Sequence, residues 1–214
     1  MDKVYWENYY MKHGQDQGIS YHSSFSEFCI EKFLFGKEFN IVEIGSGNGR
    51  DAIYFAHHGH KVFAIDQSTT AINIERKNIS NNVNGNLIPI ADDFTTLDFD
   101  FDVPIDVFYS RFTLHAISKE DEEILLPKIY NSLAKGGLFC IEVRTTKDPL
   151  FGVGEDCGEN TYLTDHRRRF VESKIFLNQV LSLGFNLLFF TEEDNLSVHK
   201  DDNPVLMRII LSKV

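Results

Sequence analysis

Apolar positions along this chain fall into short runs whose period changes from one region to the next. Residues 1 to about 38 read as helical. Within them Phe25, Phe28, Cys29, Ile30, Phe33 and Leu34 follow a helical period between a cap at Ser23-Ser24 and Gly36. From Asn40 the pattern becomes strand-like. Asn40 to Ile44 is a first strand, followed by a helix from Asp51 to His58, and Lys61 to Asp66 is a second strand, followed by a helix from about Thr69 to Ser80. Asn86 to Ala91 is a third strand and Ile105 to Tyr109 a fourth, with a helix near Asp121 to Leu133 after it. Gly136-Gly137 turns into a fifth strand, Leu138 to Val143. A late helix runs from about Val171 to Leu183, and Phe185 to Phe190 and Val205 to Leu211 close the chain as two strands.

Strands alternating with helices predict a parallel sheet covered on both faces. No helical pattern separates the last two strands, so they predict a hairpin and one antiparallel strand. The expected fold is α/β: a Rossmann-like, mostly parallel seven-stranded sheet with helices on both faces and an antiparallel terminal strand. A chain of 214 residues suits one such domain. Residues 1–38 form a helical cap or lid, and residues 39–214 form the core. Ligands of such sheets bind beyond the strand C-termini, where the strand order reverses.

Composition narrows the partners. Twenty-one Lys+Arg against 32 Asp+Glu give a net charge of −11. That balance disfavours nucleic acid, because an acidic surface repels phosphate backbones. The three cysteines, Cys29, Cys140 and Cys157, fit neither a disulfide framework nor a zinc site. His57, His58 and His60 lack supporting ligands, and no metal is expected. The start, Met-Asp-Lys-Val-Tyr-Trp, does not read as a signal peptide, and no apolar run approaches a membrane span. The expectation is a cytoplasmic monomer or homodimer acting on a small molecule.

The most informative stretch is Val42-Glu43-Ile44-Gly45-Ser46-Gly47-Asn48-Gly49-Arg50-Asp51. Glycines between strand and helix allow a tight turn and close approach of a ligand. The helix start beyond offers free amides to an anion. A dinucleotide loop wants a small residue at position 50, where Arg50 stands, and its third glycine comes one place early, at Gly49. Arg50 also opposes the helix dipole and calls for an acidic partner, Asp51 or a ligand carboxylate. The second strand ends in Asp66, a carboxylate able to accept from two ribose hydroxyls, and the third ends in Ala91-Asp92-Asp93-Phe94.

This Glu-x-Gly-x-Gly-x-Gly arrangement, with the acidic ends of the next two strands, resembles class I S-adenosylmethionine-dependent methyltransferases over about residues 40 to 145. Gly-Asn-Gly-Arg-Asp, His-Lys-Val-Phe-Ala-Ile-Asp and Gly-Gly-Leu-Phe-Cys-Ile-Glu look most like small-molecule members, including the tellurite-resistance and polysaccharide-biosynthesis types. The resemblance implies S-adenosylmethionine as cofactor. It implies that Glu43, Gly45, Ser46, Gly47, Gly49, Arg50, Asp66, Gln67 and Ser110 line its site. Asp93 would meet the adenine amino group, with Asp92 as the substitute, and Phe94 would pack on the ring.

In such enzymes the segment after the fourth strand, Tyr109-Ser110-Arg111-Phe112-Thr113-Leu114-His115, faces the transferable methyl. Arg111 and His115 would share a face if that segment is helical. Arg144, ending the fifth strand, should reach the same rim, and His166-Arg167-Arg168-Arg169 supplies more basic residues in a loop. Arginines gathered in an acidic protein suggest an acceptor with a phosphate or carboxylate, although pairing with the protein's own acids explains Arg111 and Arg144 equally well. His115 is the candidate base. Arg111, Arg144 and Tyr109 complete the catalytic group. Tyr5, Trp6 and Tyr9 would close over the site, and His166, Arg168 and Arg169 would touch the acceptor.

The expected reaction is O-methylation of a small anionic or sugar-type metabolite, a phosphate-bearing one favoured, in a setting such as surface-polysaccharide synthesis. A thiol or metalloid oxyanion is the alternative acceptor. A nicotinamide-dependent oxidoreductase and a non-catalytic S-adenosylmethionine-binding module are the alternatives of other kinds. The nucleic-acid aminomethylase motif is absent after the fourth strand, where Tyr-Ser-Arg-Phe stands.

Overall fold

The computed structural model describes residues 2–14, 21–79 and 86–214. Ser80, and residues 1 and 15–20 of the N-terminal helical reading, lie outside them. Two helices lead the chain, α1 (Lys3–His13) and α2 (Ser24–Lys32). The core then alternates β1 (Asn40–Ile44), α3 (Arg50–His57), β2 (Lys61–Asp66), α4 (Thr69–Asn78), β3 (Leu87–Ala91), β4 (Ile105–Arg111), α5 (Lys119–Ser132) and β5 (Leu133–Arg144). Three short strands, β6 (Glu155–Asp156), β7 (Thr161–Leu163) and β8 (Arg167–Arg169), precede α6 (Ser173–Ser182), β9 (Phe185–Glu193) and β10 (Leu206–Lys213).

The main sheet has the order β3-β2-β1-β4-β5-β10-β9. Its first five strands are parallel, and β10 runs antiparallel to both β5 and β9. Order reverses between β1 and β4, so the loops after these strands open onto one crevice. Val42, Ile44, Phe63, Ile65, Phe108 and Ile141 pack on one face of the sheet with α5 and α6. Ile41, Val62, Ala64, Val107 and Tyr109 pack on the other with α2 and α3. Alternate residues of the central strands are therefore buried on opposite faces, as doubly covered parallel strands require. Pro89 sits on β3, a sheet edge, where its missing N–H costs no ladder bond.

Three differences from the sequence reading bear on the site. β4 extends through Ser110 and Arg111, and the chain after it forms a single 3-10 turn (Leu114–Ala116) instead of a helix. Arg111 and His115 therefore do not share a helix face. Residues 167–169 form β8 of a second, three-stranded antiparallel sheet instead of a loop. β5 begins at Leu133: Leu133 pairs with Ile105 and Leu138 with Val107, so residues 134–137 bulge from the ladder around Gly136, whose φ is 77°.

Candidate active site

A cavity of about 670 Å³ opens at the sheet's C-terminal edge. That size is typical of small-molecule sites. The ends of β1, β2, β4 and β5, α1, the β7–β8 turn and the segment 195–202 between β9 and β10 all reach it.

On one side lies the glycine loop. Gly45, Gly47 and Gly49 all have positive φ, which glycine adopts without strain. Part of the close approach they allow is by the chain itself. A Cβ on Gly45 would strike the Thr113 methyl, and one on Gly47 would strike the Tyr10 hydroxyl. Asp66 is buried at the loop's flank and accepts from the amides of Gly47 (2.9 Å) and Ser68 (2.8 Å). Burial lifts its carboxyl to about 6 against those two hydrogen bonds. Burial, Asp51 and Glu75 push Glu43 well above the ordinary range; among the described residues its Oε2 and Gln67 Nε2 have no hydrogen-bond partner. Both residues line the cavity with Gly45, Ser46, Arg50, Asp66 and Phe94. Buried polar atoms without partners facing a cavity are what a polar ligand would satisfy. An adenosyl group with an amino-acid tail fits that set.

Other residues expected around the cofactor sit elsewhere. Gly47, Gly49 and Ser110 shape the walls without lining them; Ser110 is fully buried and its hydroxyl meets that of Thr113. Asp93 holds the turn after β3, its carboxylate accepting from the Thr95 amide (2.9 Å) and hydroxyl (2.7 Å). Asp92 is exposed and accepts from the Asp93 amide. Among the described residues Arg50 has no hydrogen-bond or ion-pair partner, and its charge helps to lower Asp51.

The arginines beyond β4 and β5 are mostly paired. Arg111 donates from Nε to Glu142 (2.9 Å), a buried carboxylate that also accepts from Arg208 (2.6 Å). Glu142 and Asp51 raise its basicity against burial. Arg144 is held by Asp148 (2.9 Å) and Asp202. Arg169 turns away from the cavity: Nε donates to the Ile117 carbonyl (3.1 Å) and NH2 to the Leu114 carbonyl (2.8 Å), with Glu122 its ion-pair partner. Tyr109 is buried under the sheet, its hydroxyl donating to Asp51 at 2.8 Å.

Arg168 differs. It lines the cavity, and among the described residues its one ion-pair partner, Asp165, is 3.9 Å away and largely exposed, with Asp202 adding to the countercharge. Burial and the Arg144 charge lower its basicity. His115 and His166 lie beside it, both buried and lining the cavity. Burial, then Arg144 and Arg168, hold His115 well below the usual imidazole range. Burial and Arg168 also lower His166, with Asp165 opposing. Both rings are therefore neutral near pH 7. Among the described residues His115 Nδ1 has no hydrogen-bond partner, and His166 Nδ1 lies 3.1 Å from Asp165 without the alignment of a hydrogen bond.

Helix α1 roofs the cavity. Tyr5 stacks on His166 (ring centres 4.6 Å apart) and donates to Asp165 (2.9 Å). Glu7 accepts from the Thr70 hydroxyl (3.0 Å), the Thr70 amide (3.2 Å) and the Ser68 hydroxyl. Trp6, Tyr9 and Tyr10 face the space between these ties. No residue of α1 is fully buried, so its position rests on polar and aromatic contacts.

Three features were not read from the sequence: Glu7, the 195–202 segment and the backbone conformation of Phe112; Tyr10, a weaker lid candidate beside Tyr9, does line the cavity. Glu7 lay within an aromatic stretch with no motif. The segment resembles any connecting loop. Phe112 has φ 57°, a conformation costing a bulky residue about 1–3 kcal/mol.

A model of the family described as "Methyltransferase domain" matches residues 41–137. Among solved structures the fold is similar to the CcbJ methyltransferase of Streptomyces caelestis (TM-score 0.74, 13% identity, covering 99% of both chains). It is also similar to a 1,6-didemethyltoxoflavin-N1-methyltransferase of Burkholderia thailandensis (0.71, 16%, 99% of this chain and 87% of that one). A third is an S-adenosylmethionine-dependent methyltransferase of Listeria monocytogenes, itself assigned provisionally (0.65, 18%, 82% and 91%). No curated protein matches. At these identities the structural likeness establishes the fold, and residues 41–137 match a methyltransferase domain.

Proposed function

We propose that the chain transfers a methyl group to an oxygen of a small phosphate-bearing or sugar-type acceptor. The observation carrying this reading is Arg168, a cavity guanidinium with an incomplete countercharge beside Arg144. A bound anion would supply what it lacks. Glycosyl phosphates, of the kind handled in surface-polysaccharide synthesis, belong to this acceptor class. We place the reaction in the cytoplasm.

When bound, S-adenosylmethionine supplies an electrophilic sulfonium methyl. Glu43, Ser46, Asp66, Gln67 and Phe94 would hold it. Arg168 orients the acceptor's anionic group. His115, neutral and with Nδ1 free, takes the proton where the reacting oxygen is a hydroxyl. An anionic oxygen needs no base. The α1 aromatics exclude water. Orientation alone can contribute about 7–11 kcal/mol in well-aligned reactions.

The test is transfer of labelled methyl to a panel of sugar phosphates and the matching free sugars. The expected result is labelling of a phosphorylated member, with Arg168→Ala raising its KM about 10- to 100-fold, the size of one charged hydrogen bond. The KM for S-adenosylmethionine should stay within about twofold. Labelling confined to uncharged acceptors, with no effect of Arg168→Ala, would overturn the reading.

A further inference from the structure

Phe112 occupies a position where glycine would be free of strain and phenylalanine is not. Its backbone is fixed on both sides. The Phe112 amide donates to the Glu142 carbonyl (2.9 Å), and Thr113 presses its methyl onto Gly45 of the glycine loop. The turn at 112 thus joins the cofactor loop to the acceptor side. Its ring is half-buried and lines the cavity. The Arg111 guanidinium lies 4.3 Å from the ring centre, that of Arg144 5.8 Å, and the His115 ring 5.5 Å. Both guanidinium groups have carboxylate partners behind them, Arg111 sharing Glu142 with Arg208 and Arg144 held by Asp148 and Asp202. What this wall offers a ligand is therefore an apolar ring face bordered by cations that are already satisfied. The most weakly paired charge on the acceptor side of the cavity is that of Arg168, whose ion pair with Asp165 is 3.9 Å long and largely exposed on the Asp165 side.

We infer that Phe112 is a specificity residue: its strained backbone presents the ring to a cyclic part of the acceptor, while Arg168 takes an anionic substituent on that ring. This rests on the anionic-acceptor reading above and deepens it. It selects ring-bearing phosphate esters over linear ones and over free phosphate. An exposed ring contact against a ligand face explains why the position tolerates a strained phenylalanine.

Trp6, the one tryptophan of the chain, lines the same cavity and reports binding by its fluorescence. With S-adenosylhomocysteine present, phenyl phosphate, inorganic phosphate and benzyl alcohol serve as probes. The expected result is that phenyl phosphate binds wild type about tenfold more tightly than inorganic phosphate. Phe112→Gly and Phe112→Ala should both erase that difference while leaving inorganic phosphate and S-adenosylhomocysteine affinities within about twofold. Phe112→Gly should also melt about 2–4 °C above Phe112→Ala, because only glycine relaxes the turn. Equal affinity for the two phosphates in wild type would overturn the inference and leave the anionic-acceptor reading standing. Benzyl alcohol binding that depends on Phe112, with neither phosphate bound, would remove the anionic acceptor and keep the ring contact. No binding of any ring-bearing probe, or an unchanged preference in both variants, would remove the role of Phe112.

Discussion

The carboxylate of Asp51 accepts a 2.8 Å hydrogen bond from the Tyr109 hydroxyl, joining the first turn of α3 to the middle of β4. The same carboxylate accepts from the Ser23 amide (2.6 Å), the Ser23 hydroxyl (2.7 Å) and the Ser26 hydroxyl (3.0 Å). Helix α2 is thereby fastened to the helix that begins at the glycine loop. Burial would raise this carboxyl, but Arg111, Arg50 and the Ser23 bonds outweigh it and hold it below its ordinary value. Asp51→Ala removes the acceptor of four hydrogen bonds in a dry setting; the Ser26 hydroxyl, on the Ser23 carbonyl (2.9 Å), and the Ser23–Tyr109 hydroxyl pair (3.2 Å) keep an alternative. A stability loss of about 3–5 kcal/mol is expected, read by denaturant unfolding. Tyr109→Phe removes one donor and its expected loss is about 1 kcal/mol. An Asp51→Ala midpoint equal to wild type would remove the claim that this network holds α2.

Glu75 gives the opposite dependence on pH. Its carboxyl, buried behind Gly49 and accepting a hydrogen bond from the Ser46 hydroxyl (3.3 Å), is raised by burial from 4.5 to about 8. A group with a raised folded value stabilises the fold fully below its unfolded value and loses that contribution as pH climbs through the folded one. Glu75→Gln should therefore be nearly neutral at pH 5 and should raise the melting temperature at pH 8.5. Melting curves at both pH values decide it, and a variant less stable than wild type at the higher pH would contradict the assignment.

Asp66 carries two duties in one carboxylate, ordering the Gly47 amide and facing the cavity. Asp66→Ala should weaken S-adenosylhomocysteine binding by about 10- to 100-fold, the range for losing a charged hydrogen-bond partner. Calorimetry measures it directly. Affinity within twofold of wild type would mean that the nucleoside lies elsewhere.

Arg168 and Arg169 are neighbours with opposite assignments. Arg169 is buried on two carbonyls and Glu122, so Arg169→Ala should lower stability by about 3–5 kcal/mol, as expected for a broken buried ion pair. Arg168→Ala should change stability little, because its nearest carboxylate is distant and exposed. Thermal unfolding of the two variants side by side tests the pair, and equal losses would refute the distinction.

Tyr5 ties α1 to the β7–β8 turn. Tyr5→Phe removes the bond to Asp165 and keeps the stack on His166. Its expected effect is faster hydrogen exchange in α1 with the core unchanged, since α1 buries no residue fully. Unaltered exchange there would show that the tie does not hold the roof.

The sequence by itself determined the chain order of the seven main-sheet strands and the helices between them, the glycine loop, and Asp66 at the end of β2, but not the small sheet of β6, β7 and β8. The features it determined are local: hydrophobic period, glycine backbone freedom and strand ends are written in neighbouring residues. It could not determine the partners of charged groups. Nothing local distinguishes Arg168, which faces the cavity, from Arg169, buried on Glu122, since alternation along β8 separates them only once that strand is paired. Arg144 read as an acceptor contact or as a structural ion pair until Asp202, distant in the chain, was seen against it. The positive φ of Phe112 was equally hidden, because a strained backbone is imposed by the surrounding fold and leaves no mark on the residue type. Short-range physics set the scaffold; long-range packing decided which side chains remained available to a ligand.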